Sequence, residues 1–398
     1  MKFSFSVIST LLLLASSVES RWVPKPGLTW SYSIASKDDV ILERKEEVIT
    51  IDFEKKKELI EKLHKKGKKV ICYFSGGTIE KHRDDIADYY AVPGLIKDKE
   101  AYTEWDELWL DYRMEEIKPL IRNRMKIAVD KKCDAIEVDC LGAYNYKIVT
   151  ERWDDPLTKE DAYNFAKWLS KMAHELNISI GLKNVAGIAP YLVDDFDFAV
   201  VESCSRSKNV CAKYENFPKK GKAVFTIHYG DFGSFNEQRS TMIQEMKGFG
   251  YTCVFNVDNN LKTPGYNFNC DTGSTTNLKG SIPKIDNNIK IGTPTFTTTT
   301  KKASTKKVST KKTTSTKPVV KKTTTISKPV VKKTTTTTKP VVKKTTTTTK
   351  PVVKKTTTTT KPVVKKTTTT KSAAKNNKKK TVVKKVKKVV KKKVNKKN

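Results

Sequence analysis

The 398-residue chain carries 78 basic and 43 acidic side chains, a formal charge of +35, yet residues 301 to 398 hold 35 Lys and no Asp, Glu or Arg. The first 300 residues are therefore electrically balanced, and Phe296 is the last aromatic residue. A neutral, aromatic-bearing body argues against nucleic acid as the main partner, and no stretch reaches the roughly 20 apolar residues needed for a membrane span.

At the N-terminus, Met1 and Lys2 precede an apolar stretch from Ile8 to Ala15, and Val18 and Ser20 are small residues where a signal peptidase reads. Residues 1–20 are thus expected to be a signal peptide, with the mature chain starting at Arg21 and secreted to an extracellular or cell-wall location. With lysines at its C-terminal end, the chain is not expected to carry an apolar lipid-anchor tail.

From there to about residue 285, strand-like and helix-like segments alternate. Candidate strands are Thr29 to Ser33, Val48 to Asp52, Lys69 to Phe74, Ala135 to Asp139, Ile178 to Lys183, Phe198 to Glu202, Ala223 to His228 and Tyr251 to Val257. Helical patterns fall at Glu54 to Lys66 closed by Gly67, Glu115 to Lys131, Lys159 to Leu176 opened by Thr158, and Asn236 to Lys247 closed by Gly248. Such alternation implies a parallel sheet, and eight units imply an α/β fold of the (β/α)8 TIM-type barrel over residues 21–285. An open doubly wound sheet is the alternative, disfavoured because no Gly-rich phosphate loop follows the first strand.

In a barrel, chemistry gathers at the C-terminal ends of the strands. Those ends read Asp52, Tyr73 with Ser75, Asp139, Lys183 with Asn184, Glu202, His228 with Tyr229, and Asn256 with Asp258. Trp30 and Tyr32 on the first strand add rings that can stack on a sugar or simply pack. On the fourth strand Ala135, Glu137 and Asp139 share one face, so two acids sit on an otherwise apolar segment. They form either a buried ion-pair network or a site. On the fifth, Ser179, Gly181 and Lys183 share a face, which leaves room for a long cation that pairs with Asp139 or with Glu137.

Seven cysteines are an odd number. Cys204 with Cys211, in one loop after Glu202, and Cys253 with Cys270, bracketing the last strand, are expected disulfides. Of Cys72, Cys133 and Cys140 at least one thiol stays unpaired within the chain. No close pair of Cys or His has metal spacing, so no metal and no cofactor are expected.

Residues 286–398 form a repeat tail. Lys-Pro-Val-Val-Lys-Lys followed by Thr begins at Lys317, Lys328, Lys339, Lys350 and Lys361. Such a Thr/Lys-rich tail cannot bury a core, so it is expected to be extended and disordered, with Thr runs suited to O-glycosylation. Beyond Lys371 the Val spacing admits a basic helix, although a solvated coil fits Val better. Its polybasic charge suits an anionic cell-wall or matrix polymer.

Several blocks in order resemble glycoside hydrolase family 114, the endo-α-1,4-polygalactosaminidases. They are Val70 to Gly77, Glu80 with Arg83-Asp84, Glu107 to Asp111, Cys133 to Asp139 with Tyr144, Gly181 to Asn184, and Val201-Glu202 with Cys204 and Cys211. The resemblance spans about residues 22 to 272 and implies a (β/α)8 barrel with catalytic carboxylates matching Asp139 and Glu202. Departures are His228-Tyr229 where Glu-Tyr is usual, His82 in place of a Trp, and Ser203 after Glu202.

The chemistry agrees, because glycoside hydrolysis needs two carboxyl groups flanking the scissile bond. Asp139 is the expected nucleophile and Glu202 the general acid/base; the sequence leaves retaining and inverting outcomes open. Trp30, Asp52, Tyr73, Ser75, Glu137, Lys183, Asn184, His228, Tyr229 and Asp258 are the expected substrate contacts, Asp52 holding a sugar hydroxyl or amine. The expectation is a secreted, monomeric endo-hydrolase of a galactosamine-containing α-1,4-polysaccharide. The alternative is a non-catalytic wall or polyanion-binding protein that uses the barrel as a sugar clamp.

Overall fold

Short β-branched runs flanked by amphipathic helices have one economical arrangement, a ring of parallel strands with the helices outside. The computed structural model describes residues 20–296. The expected signal peptide before residue 20 and the repeat tail beyond 296 lie outside the described residues. Strands β1 (Trp30–Tyr32), β2 (Val48–Asp52), β3 (Lys69–Ser75), β6 (Ala135–Asp139), β7 (Ser179–Lys183), β8 (Phe198–Glu202), β9 (Val224–Tyr229) and β10 (Thr252–Asn256) pair in parallel, each with the next. Sequential order around the sheet excludes the doubly wound alternative, whose strand order reverses at a switch point.

Three further strands were not foreseen. β4 (Thr78–Glu80) and β5 (Glu107–Trp109) form an antiparallel pair inserted between β3 and β6, with Glu80 opposite Glu107. β11 (Tyr266–Phe268) runs antiparallel to β10 and occupies the seam beside β1. No backbone ladder joins β11 to β1. A side-chain amide bridges them instead: Asn267 accepts from the Trp30 N–H at 3.1 Å and donates to the Trp30 carbonyl at 3.0 Å.

Helices α1 (Asp38–Leu42), α2 (Lys57–Lys65), α3 (Ile86–Tyr90), α4 (Ile117–Asp130), α5 (Lys147–Arg152), α6 (Lys159–Glu175), α7 (Asn216–Lys219) and α8 (Phe235–Met246) lie along the connections. Capping boxes start the two whose N-termini carry the right residues. Thr158 and Asp161 open α6, and Ser234 and Glu237 open α8. Gly67, past the end of α2, takes a left-handed φ of 73°, as a helix C-terminus prefers. α2 begins three residues later than its periodicity suggests, because the Asp52 side chain accepts from the Glu54 N–H and holds a turn there.

Two apolar clusters result, one inside the barrel and one between barrel and helices. The inner one contains Trp30, Val48, Ile71, Phe198, Phe225 and Val254. A Cβ at Gly181 would lie 2.4 Å from the Phe198 ring, so the space that a small residue frees beneath Lys183 is filled by that ring and not left open.

Cys204–Cys211 and Cys253–Cys270 are joined as expected, and Cys72 is joined to Cys133, leaving Cys140 free. The Cys72–Cys133 bridge ties β3 to the approach of β6. With a sequence separation of 61 residues, it removes about 4 kcal/mol of unfolded-chain entropy in the loop-closure model. Beyond residue 285 the chain still touches the folded body, since Phe296 packs against Tyr163 with ring centroids 5.6 Å apart. Among the described residues no helix is long and apolar enough to cross a membrane.

The seam gives a direct test. Asn267→Ala strips both partners from the Trp30 peptide, at about 1–3 kcal/mol for each buried group left unpaired. Its urea midpoint is expected to fall well below that of the parent; an unchanged midpoint would show that packing alone closes the barrel.

Candidate active site

At the C-terminal ends of the strands lies a cleft of about 860 Å³, a volume suited to a ligand of several rings. Its floor is one buried ammonium. Lys183 Nζ donates to Asp139 Oδ2 at 2.6 Å and to the Tyr32 hydroxyl at 3.0 Å. It also stands 3.3 Å from Glu137 Oε1 and 3.4 Å from Glu202 Oε2. The parallel register produces this meeting by setting Glu137 beside Gly181 and Lys183 beside Val200, so the ends of β6, β7 and β8 converge.

Each acid also receives a tyrosine hydroxyl. Tyr32 donates to Glu137 at 2.9 Å, Tyr73 to Asp139 at 3.2 Å and Tyr229 to Glu202 at 2.6 Å. The Asn184 side-chain amide donates to Glu202 Oε2 at 3.1 Å, while its Oδ1 accepts from the Glu202 N–H. Burial first, then the neighbouring carboxylates, hold all three tyrosines well above their usual pKa, so they remain donors. Burial alone would lower the Lys183 pKa, but Asp139, Glu202 and Glu137 together raise it, and the ammonium stays charged.

Glu137 is a different kind of acid. It is fully buried under the floor, and its Oε2 has no hydrogen-bond partner among the described residues. Desolvation, with Asp139 and Glu202 adding to it, pushes its pKa up to about 7 against the opposing pull of Lys183. Asp139 and Glu202, by contrast, keep 17% and 29% of their side chains exposed and face the cleft.

The backbone turns sharply where these side chains leave it. Cys140 (φ 64°), Asn184 (φ 54°), Val185 (φ 55°) and Ser203 (φ 48°) all adopt left-handed conformations directly after Asp139, Lys183 and Glu202. For β-branched Val185 this is a strained geometry of the sort found at functional sites. Gly77 permits the tightest approach, since a Cβ there would lie 1.8 Å from the Cys140 carbonyl oxygen.

Of the expected contacts, Asp52, Tyr73, Lys183, Asn184 and Tyr229 line the cleft with Asp139 and Glu202. Five do not. Trp30 is completely buried inside the barrel, its indole N–H bonded to Thr50. Ser75 is buried and bonded to Thr78. Glu137 lies beneath Lys183. His228 points to the opposite face of β9 from Tyr229, where burial pushes its pKa down to about 4. Asp258 turns away from the cleft and accepts from the Asn260 N–H.

The residues that sequence reading missed come mostly from the inserted hairpin and from loops: Glu80, Glu107 and Trp109, then Trp105, Tyr146, Arg206 and Phe232. Trp105, Tyr146 and Phe232 are exposed rings on the cleft wall, and the Arg206 guanidinium lies 3.5 Å from the Phe232 ring centre. Glu107-Leu108-Trp109 is one of the blocks that carry the family resemblance, but no spacing rule connects it to β6.

A (β/α)8 barrel whose strand-end cleft holds two partly exposed carboxyls, on β6 and β8 with β7 between them, is a scaffold of the class that supports glycoside hydrolysis. The chain belongs to the glycoside-hydrolase family GH114, whose sequence profile matches residues 13–274, and it is accordingly a glycoside hydrolase. Among solved structures it is similar to Ega3 of Aspergillus fumigatus in complex with galactosamine, at 28% identity, covering 61% of this chain and 96% of that one with a TM-score of 0.53. It is also similar to the glycoside hydrolase domain of PelA from Pseudomonas aeruginosa, at 14% identity over 60% of this chain and 98% of that one, TM-score 0.44. Comparison with curated proteins finds no match.

The shared cation makes a strong prediction. Lys183→Met leaves buried acids without their counter-charge, so stability should drop by about 3–5 kcal/mol and turnover should vanish. Chemical denaturation reads the first effect, and full stability in the variant would mean that the acids take up protons in place of the ammonium.

Proposed function

We propose that the protein is a secreted, retaining endo-glycosidase of α-1,4-linked galactosamine polymers, with Asp139 as nucleophile and Glu202 as general acid/base. The observation that carries this reading is the single nitrogen between the two carboxyls. Distances of 2.6 and 3.4 Å to Lys183 Nζ keep Asp139 Oδ2 and Glu202 Oε2 within about 6 Å of each other, which favours the closely spaced pair that retaining enzymes use.

The ammonium also distinguishes the two roles. It lies closer to Asp139 and aims that carboxylate at the anomeric carbon. Glu202, more exposed and farther from the cation, gives its proton to the leaving oxygen. Asp139 attacks C1 as that bond breaks, and a covalent glycosyl-enzyme forms. Glu202 then takes a proton from water, whose oxygen displaces Asp139 and restores the anomeric configuration. Tyr73 and Tyr229 hold the two carboxyls in place through both steps.

The substrate class is supported by charge and by likeness. The cleft presents Asp52, Glu80, Glu104, Glu107 and Asp231 besides the catalytic pair, against Arg83, Lys183 and Arg206 as its fixed cations. An excess of acid favours a polycation, and the similar Ega3 holds galactosamine. Asp52, anchored by Arg83 at 2.9 Å, is placed for a sugar hydroxyl or amine.

Asp139→Asn and Glu202→Gln should each lower kcat on a galactosamine polymer by at least about 10²–10⁴-fold with the fold retained. Proton NMR of the first product should show the α-anomer. A β-anomer would overturn the retaining assignment, and activity retained in either variant would overturn the residue assignment.

The tail is proposed to hold the enzyme near an anionic wall or matrix polymer, with its 35 Lys acting over a distance of about 10 Å at 0.1 M salt. Deleting residues 301–398 should release the protein from such a matrix while leaving turnover of a soluble oligosaccharide unchanged. Equal matrix binding without the tail would reduce it to a spacer.

A further inference from the structure

Most acids of the cleft have a counter-charge. Asp52 and Glu80 are paired with Arg83, and Asp139 and Glu202 share Lys183. Glu107 is the exception among the buried ones. Its residue is 7% exposed and lines the cleft, yet among the described residues no Lys, Arg or His nitrogen comes within ion-pair distance of it. The groups that face it are Glu80 across the β4–β5 pair, Asp139, the hydroxyl of Thr78, and the thiol of Cys140, which donates to its Oε2 at 3.7 Å. Two of those four are acids whose cations are already engaged and two are neutral donors, so this buried carboxyl has no cation of its own. Such an arrangement is costly unless something else completes it.

A second observation points to the same place. Trp109 lies two residues on along β5 and therefore on the same face as Glu107. It is 3% exposed and lines the cleft, and its indole N–H has no hydrogen-bond partner among the described residues. One strand thus presents an unbalanced acid and an unused donor side by side. A sugar residue bearing an amine and a hydroxyl or ring oxygen would satisfy both.

We propose that Glu107 is the specificity-determining residue that recognises the amine of the sugar bound next to Asp139, with the Trp109 indole N–H donating to an oxygen of the same sugar. This rests on the galactosamine reading above and deepens it. A sugar whose C1 reaches Asp139 carries its amine on C2, the adjacent ring carbon, within the cleft that Glu107 and Trp109 also line. An ammonium there supplies the missing cation. An N-acetyl group there brings no charge and adds bulk.

The chemistry of recognition follows. In the empty cleft, desolvation, with Glu80 and Asp139 adding to it, pushes the Glu107 pKa up to about 8, so the carboxyl is protonated at neutral pH. Arrival of R–NH3+ converts COOH to COO− facing the ammonium, and one proton leaves for the solvent. Binding of the amine is therefore linked to proton release, whereas binding of an acetamide is not.

Two measurements test this with the full chain and a matched pair of probes, an α-1,4-linked galactosamine oligosaccharide and its fully N-acetylated counterpart. In the first, Glu107→Gln, which copies the shape of the protonated acid and so preserves the fold, should lower the ratio of kcat/KM for the amine probe to that for the acetylated probe by about tenfold or more. An unchanged ratio overturns the proposal and leaves the glycosidase reading intact. In the second, calorimetric titration of Glu202→Gln at pH 6 in buffers of different ionisation enthalpy should show release of about one proton on binding the amine probe, and none with the acetylated probe. The Glu107→Gln/Glu202→Gln double variant should lose that release; its persistence would assign the proton to another group. A wild-type enzyme that cleaves neither probe yet shows the same proton release would overturn the substrate reading while leaving the role of Glu107 standing.

Discussion

Everything at the mouth of this barrel depends on one ammonium group serving three carboxyls. Lys183 is fully buried, and a lone buried ammonium would surrender its proton. Held by Asp139, Glu202 and Glu137, it stays charged and in turn fixes where those acids sit. The tyrosines complete the arrangement by giving each acid a second donor at a definite atom. With the two proposed catalytic carboxyls each tied to groups on neighbouring strands, little reorganisation is needed when charge develops on a bound sugar.

That convergence has backbone consequences. To point Asp139, Lys183 and Glu202 at a common centre, the chain must leave each strand abruptly, and it does so through left-handed residues at 140, 184, 185 and 203. Only three-residue β1 and the short β11 finish the ring, and an asparagine side chain stands in for the missing ladder between them. The ladders are thus longest from β2 to β6 and between β9 and β10, shorter on either side of β7 and β8, and replaced by a side chain at the seam.

The departures from the family pattern also find their place. His228 differs from the Glu-Tyr pattern, but it faces the helices, while Tyr229 keeps the contact with Glu202. The substitution therefore changes packing and leaves the cleft-facing residue of that strand unaltered. The inserted hairpin matters more to the substrate, because Gly76 and Gly77 let it fold down onto the exit of β6 and bring Glu80 and Glu107 towards Asp139.

The sequence by itself determined the eight parallel strands, the main helices and the caps at Thr158, Gly67 and Gly248, because period-2 and period-3.6 patterning are local properties, and it set Asp139 and Glu202 at strand ends, while choosing these two as the pair came from the family resemblance. It also placed Lys183 on the correct face, since alternation along a strand is local too. Which polar strand-end residues reach the cleft was decided by tertiary structure. Tyr73 and Tyr229 face it, whereas Ser75 and His228, close by in the chain, are buried beside or behind it. The Cys72–Cys133 bridge, the Asn267 seam and the place of Glu107 beside β6 were likewise invisible in the sequence. Each joins segments far apart in the chain, and no spacing rule records which of many possible long-range pairings the closed barrel will bring together.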